Sequence, residues 1–179
     1  RSDDEGRAWS DWSEVIRIPR QVNSDAKDAG IRPTTDDDPN WAEGQRWFAY
    51  LQQSMAVKNG YLYFAVSERV QDMAIVSCDL KNGLLNPESW KISVTAPVSI
   101  PKELNPGFFP GPSMGTLEGN VIEINGKLRL LARQVVDRYG TSNIAAVFDV
   151  EENNGNPRLS FVQFFPIPGA HGLFKIVYD

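Results

Sequence analysis

Two residues of opposite charge, Glu118 and Arg133, flank a run of sequence that reverses at Asn125-Gly126. Asn-Gly accepts the positive φ that a two-residue hairpin loop requires. Ile124 should therefore face Lys127, and counting outward sets Glu118 opposite Arg133. Cross-strand partners share a face, with Cβ atoms roughly 5 Å apart. At that spacing a carboxylate that accepts protons and a guanidinium whose fork matches two carboxylate oxygens can meet one ligand together. The plain alternative is a surface salt bridge, which contributes little. A second Asn-Gly, Asn59-Gly60, gives the same count with Gln52 opposite Ser67. The charge pair thus occurs in one hairpin of two, whereas a purely architectural feature should recur in both. This favours a site built on Glu118 and Arg133, with Gln52 at the matching place in the other hairpin as a further ligand contact.

Other polar residues are weaker candidates. His171, in Pro168-Gly-Ala-His-Gly172, sits on a loop that should enter a strand near the same mouth. It is a rim candidate, although a loop histidine is more often simply solvated. Trp41, Arg46 and Trp47 suit either a stacking wall or ordinary core packing, and Tyr178 is placed for packing. Asp36-Asp37-Asp38 lacks the alternating ligand spacing of a calcium loop, so no metal is expected there. The single Cys78 and single His171 exclude an internal disulfide and a Cys- or His-rich metal cluster, and Cys78 reads as a buried structural thiol. No cofactor is implied.

The elements that must carry these residues are strands. With 179 residues, 41% of them hydrophobic, the chain can bury a core. A net charge of −5 provides no footprint for a phosphate backbone, so nucleic acid is not expected as a partner. No apolar run approaches the length of a bilayer span. Apolar residues arrive in short β-rich runs such as 60–66, 73–76, 121–124 and 144–148, punctuated by Gly, Pro and Asn, which reads as all-β. The segment from Arg20 to Gln45, rich in Asp, Pro and Gly, reads as a long loop.

The chain also repeats itself. Superposing one Asn-Gly hairpin on the other aligns Met73-Ala-Ile-Val-Ser-Cys-Asp79 with Asn143-Ile-Ala-Ala-Val-Phe-Asp149. After each Asp comes a Gly and then an aromatic: Gly83 and Trp90, then Gly155 and Phe161. A repeat of about 70 residues built from four short strands points to a radial array of small sheets, with a β-sandwich as the alternative. The expected organisation is a blade end at 1–19, a long loop at 20–47, a blade at 48–97, a connection at 98–117, a blade at 118–167 and the start of another at 168–179. Because the chain opens inside a motif and stops inside a strand-like run, it reads as a fragment.

Ser2-x-Asp4-x-Gly6-x-x-Trp9 resembles the Asp box of the sialidase superfamily, with Ala8 where the family usually has Thr. In such a turn a carboxylate takes up backbone donors, Gly supplies unusual dihedrals and the aromatic packs beneath. Ser77, Asp79, Gly83 and Trp90 resemble a second, expanded box, and Asp149, Gly155 and Phe161 a third without its Ser. The run from Leu117 to Arg133 is similar to the sialidase stretch in which a Glu opens a blade's innermost strand and an Arg ends the next. Leu85-Asn-Pro-Glu-Ser-Trp90 and Phe174-Lys-Ile-Val-Tyr-Asp179 resemble bacterial sialidase-like propeller proteins as well.

The resemblance implies a partial sialidase-like β-propeller of two to three four-stranded antiparallel blades, belonging to a glycoside hydrolase that acts on terminal sialic acid or a similar anionic sugar. It also implies extracellular or periplasmic use. Glu118 would be the base for a nucleophilic Tyr, and Arg133 would hold the substrate carboxylate, a departure from the two-carboxylate scheme of most glycosidases. The remaining catalytic parts are expected outside this segment, so the segment alone is expected to be inactive. Two other readings remain open: a non-catalytic propeller that binds glycans or a protein, and a two-carboxylate glycosidase using Asp72 or Asp137.

Overall fold

A computed structural model describes residues 5–9, 48–49, 54–68, 72–94, 96, 98, 115–135, 143–168 and 174–177. Nine strands carry the described part. They are β1 (Phe48–Ala49), β2 (Ala56–Lys58), β3 (Tyr61–Glu68), β4 (Asp72–Asp79), β5 (Trp90–Ile92), β6 (Gly115–Ile124), β7 (Lys127–Val135), β8 (Ile144–Glu151) and β9 (Arg158–Pro166). The only helical pieces among the described residues are single 3-10 turns at Pro87–Ser89 and Asn153–Gly155. The chain is all-β, as its punctuated runs require.

The strands form two antiparallel meanders. In the first sheet β1 and β2 share one edge of β3, followed by β4 and β5; in the second the order is β6-β7-β8-β9. Both Asn-Gly hairpins form as counted near their turns, with Lys58 paired to Tyr61 and Ile124 to Lys127. Asn59 and Asn125 both adopt φ +51, with Gly60 and Gly126 at +81 and +75. That is the backbone a two-residue hairpin loop needs.

Each strand's period of two sends one set of side chains into the space between the sheets. Tyr63, Ala65, Met73 and Ile75 of the first sheet meet Val121, Leu128, Leu130, Ala132, Ala146, Phe148 and Val150 of the second in one buried cluster. Phe64, Val66, Ala74 and Val76 form a second cluster on the opposite face of the first sheet, flanked by Leu62, Trp90 and Ile92. Each fully buried side chain of this size contributes about 1.5–3 kcal/mol.

The hairpin ends are also clasped together by polar contacts. The Lys58 ammonium donates to Glu152 Oε1 and to the Gly126 carbonyl, the latter at 2.6 Å, and Asn59 Nδ2 donates to Glu152 Oε2 at 2.7 Å. Buried Ser77 Oγ donates to the Gly155 carbonyl at 2.6 Å. Beside this clasp, burial pushes the Tyr63 phenol up to about 12, with the Glu152 and Tyr61 charges acting in the same direction.

The Asp-Gly-aromatic motifs separate into different cases. After β4, the Lys81 amide donates to Asp79 Oδ1 at 2.9 Å and Asn82 Nδ2 donates to Oδ2 at 2.7 Å. Gly83 takes φ +87, and Trp90 donates to the Leu84 carbonyl while meeting Phe64 edge-on at 5.9 Å. This is the local mechanism the motif implies. Near the chain start Gly6 has φ +85 and Trp9 Nε1 donates back to its carbonyl, while Ser2 and Asp4 lie outside the described residues. The third motif needs correction. Asp149 is not a turn residue: it stands within β8, paired with Ser160 and ion-paired to Arg129. Glu151, two residues on, is the β8 residue that falls at the turn end.

The Cys78 expectation matches the structure: the thiol is free and fully buried, with its pKa raised first by burial and then by Asp79. Among the described residues no helix is long and apolar enough to cross a membrane, and no group of three or more His, Cys, Asp or Glu is placed to hold a metal ion.

Candidate functional site

Counting from the Asn125-Gly126 turn, β6 and β7 keep regular register as far as Asn120 opposite Leu131. There a bulge intervenes, and pairing resumes with Leu117, not Glu118, opposite Arg133. The counted register is therefore corrected: Glu118 and Gly119 together stand against Ala132, so the bulge inserts one extra residue. Glu118 takes φ +58, a left-handed conformation that costs a non-glycine residue about 1–2 kcal/mol.

The bulge nevertheless turns the Glu118 side chain onto Arg133. Arg133 Nη2 donates to Glu118 Oε1 at 2.8 Å, and Arg133 Nε lies 2.7 Å from Oε2. One hydrogen bond, Nη2 to Oε1, joins the two side chains, and Nε and Oε2 are close enough for an ion pair without making a second. Only 6% of the Glu118 side chain and 13% of the Arg133 side chain remain exposed, so this is not a solvated surface bridge. A pair withdrawn from water to this degree leaves a costly lone charge if either partner is removed. Bulges of this kind recur where a strand must re-aim a side chain.

Two neighbours make the bulge possible. A Cβ at Gly119 would stand 2.6 Å from Ala65 Cβ, from Leu130 Cδ1 and from Met73 Cε, so the backbone here presses directly on the inter-sheet core and admits only glycine. Asn120, fully buried, spends its carboxamide on four bonds. Its Oδ1 accepts from Ser54 Oγ at 2.7 Å and from the Ile176 amide at 3.0 Å. Its Nδ2 donates to the Phe174 carbonyl at 3.1 Å and, more weakly, to the Glu118 carbonyl at 3.4 Å. Ser54 and Asn120 also form a parallel bridge, reinforced by the Val121 amide donating to the Ser54 carbonyl at 3.2 Å. These two residues occupy equivalent places in the repeat.

The pair lies at the end of the second sheet away from its hairpin turn, in a lateral row of Leu117, Arg133, Ala145 and Phe165. Buried Gln134 and Thr116 adjoin it, with Gln134 Nε2 donating to the Gly115 carbonyl at 2.9 Å. A cleft of about 480 Å³ runs along the same strand towards the turn, lined by Ser54–Val57, Val121–Glu123 and Lys175–Val177.

Of the candidate residues, Glu118 and Arg133 are brought together. Ser67, the repeat equivalent of Arg133, is buried in the first sheet and pairs with Ala49 and Met73. The count that put Gln52 opposite Ser67 is thus corrected, because pairing along that edge of β3 breaks between β2 and β1. Gln52, His171, Trp41, Arg46, Trp47, Tyr178 and Asp137 lie outside the described residues, and Asp72 stands at the start of β4 opposite Glu68.

Sequence reasoning assigned no role to Gly119 or Asn120. The signal available was a Glu-Gly-Asn triplet, three poor strand formers, at the head of the apolar run Val121-Ile-Glu-Ile124. Comparison with known proteins finds no matching family model, no similar curated protein and no similar solved structure.

Proposed function

We propose that the chain forms two neighbouring blades of a sialidase-like propeller, part of a glycoside hydrolase whose mouth receives a terminal sialic acid or a similar anionic sugar. The observation that carries this reading is the withdrawn Glu118–Arg133 contact, held on a strained bulge at the strand ends opposite the tight turns. Backbone strain concentrates where a side chain must be held for use. Support for the ring comes from the two like meanders and from Ser54 and Asn120, repeat equivalents that lie side by side in parallel. Neighbouring units turned about a common axis place equivalent inner residues in that way.

In this reading Arg133 holds the sugar carboxylate through its planar fork, and Glu118 takes the proton of a nucleophilic phenol supplied from outside the described residues. The compartment that goes with this reading is extracellular or periplasmic.

A second reading, a non-catalytic propeller that binds glycans or a protein, is favoured by one observation. Both oxygens of Glu118 face the Arg133 guanidinium. The proton acceptor and the anion holder are therefore engaged with each other, and a ligand must displace one of them.

A glycan array comparing the wild type with a Glu118→Gln/Arg133→Met double variant, which leaves no lone buried charge, tests anion recognition. Sialoside spots bound by the wild type and lost in the double variant support the site. Equal binding by both removes the pair from it.

A further inference from the structure

Asn120 makes no charged contact, yet its carboxamide meets three separate stretches of chain. We infer that Asn120 is a positioning residue that sets the geometry of the Glu118–Arg133 contact and makes that geometry depend on Ser54 and on the segment 174–176 being docked. The inference rests on the reading of Glu118 and Arg133 as a ligand site.

A carboxamide offers two acceptor positions and two donors, and all four are used here. The pattern also fixes which way the amide points. Rotated by half a turn, Nδ2 would confront the Ile176 amide donor and Oδ1 the Phe174 carbonyl, so only one orientation satisfies the surroundings. The bond to the Glu118 carbonyl is the longest of the four, and its position gives it weight. Glu118 and Gly119 have left the β6–β7 ladder, and Asn120 is the residue at which the ladder resumes. The carbonyl between them sits at the break in the register, and Nδ2 supplies a donor to it. A buried carbonyl without a donor is costly enough to shift a local conformation.

The consequence is coupling. If segment 174–176 undocks, Nδ2 loses its better acceptor and Oδ1 its backbone donor, and the amide no longer has a reason to hold the orientation that serves Glu118. The Glu118 carboxylate then loses its fixed aim at Arg133. Ser54, just ahead of β2, donates to the same oxygen. Site geometry is thus shared by three stretches of chain through one side chain.

The test reads Arg133 directly. In 15N-labelled protein, hydrogen exchange of the Arg133 guanidinium Nη–H protons, one of which is donated to Glu118 Oε1, reports whether the guanidinium is held by Glu118. Asn120→Asp keeps the shape but turns both donor contacts into repulsions, and it is expected to speed that exchange about tenfold or more; Ser54→Ala, which removes one contact, should speed it about two- to fivefold. Val76→Ala, in the cluster on the far face of the first sheet, provides a destabilised reference. The inference is overturned if Asn120→Asp leaves the exchange unchanged, or if Val76→Ala at a matched denaturation midpoint speeds it equally. Sialoside titration of the same proteins separates the two claims. Faster exchange in Asn120→Asp with no sialoside binding by the wild type sinks the ligand site and leaves the positioning role standing. Sialoside binding that is lost on removing the pair but unaffected by Asn120→Asp, with unchanged exchange, does the reverse.

Discussion

At the scale of single residues, three consecutive positions divide one task. Glu118 accepts a left-handed backbone, Gly119 gives up its side chain so that the bulge fits against the core, and Asn120 ties the strand to its neighbours. The glycine is the most easily tested of the three. A Gly119→Ala methyl would collide with Ala65 Cβ, which has no rotamer by which to move, so overpacking of about 1–3 kcal/mol is expected. Gly126→Ala makes a useful contrast, since nothing lies within 4 Å of its added Cβ and only the strain of φ +75 remains, about 1–2 kcal/mol. Urea denaturation should show a loss in both, and Gly119→Ala alone should also disturb the Arg133 Nη–H signal. An undisturbed signal would mean that the bulge does not need the glycine.

At the scale of elements, the hairpins were legible because Asn-Gly states its backbone requirement locally. Register close to the turns followed from it, and so did the alternation that fills the inter-sheet core. The bulge was not legible. Counting assumes that every residue keeps its place in the ladder, and what breaks the ladder is the inter-sheet approach at Gly119, a tertiary fact. Counting fails likewise along the other edge of β3, where Ser67 pairs with Ala49, and the turn signal at Asp79 has no counterpart at Asp149, which stands inside β8 opposite Ser160. The packing between elements also has a pH signature. Tyr63 ionises near its ordinary 10.0 when unfolded but only at about 12 when folded. Above pH 10 the unfolded state therefore loses the proton first, and stability falls as pH rises between these two values. Comparing denaturation midpoints at about pH 8 and about pH 11, the wild type should lose more than a Tyr63→Phe variant. Parallel losses would place the burial penalty elsewhere.

At the scale of the whole molecule, the internal repeat survives as two like meanders, and Ser54 bridges in parallel to its repeat equivalent Asn120. Composition alone could point to strands, but only the repeat pointed to their being grouped in units. The central claim is that Arg133 is an anion receptor held in reserve by Glu118, which makes the internal carboxylate a competitor of the ligand's. Calorimetric titration of a sialoside into the wild type and a Glu118→Gln variant tests this most directly. Replacing the competing carboxylate with a neutral amide should tighten binding about fivefold or more, because the freed fork gains a charge-assisted pair with the sugar. Unchanged or weaker binding in Glu118→Gln would contradict the claim and leave the pair as a structural tie of the bulge.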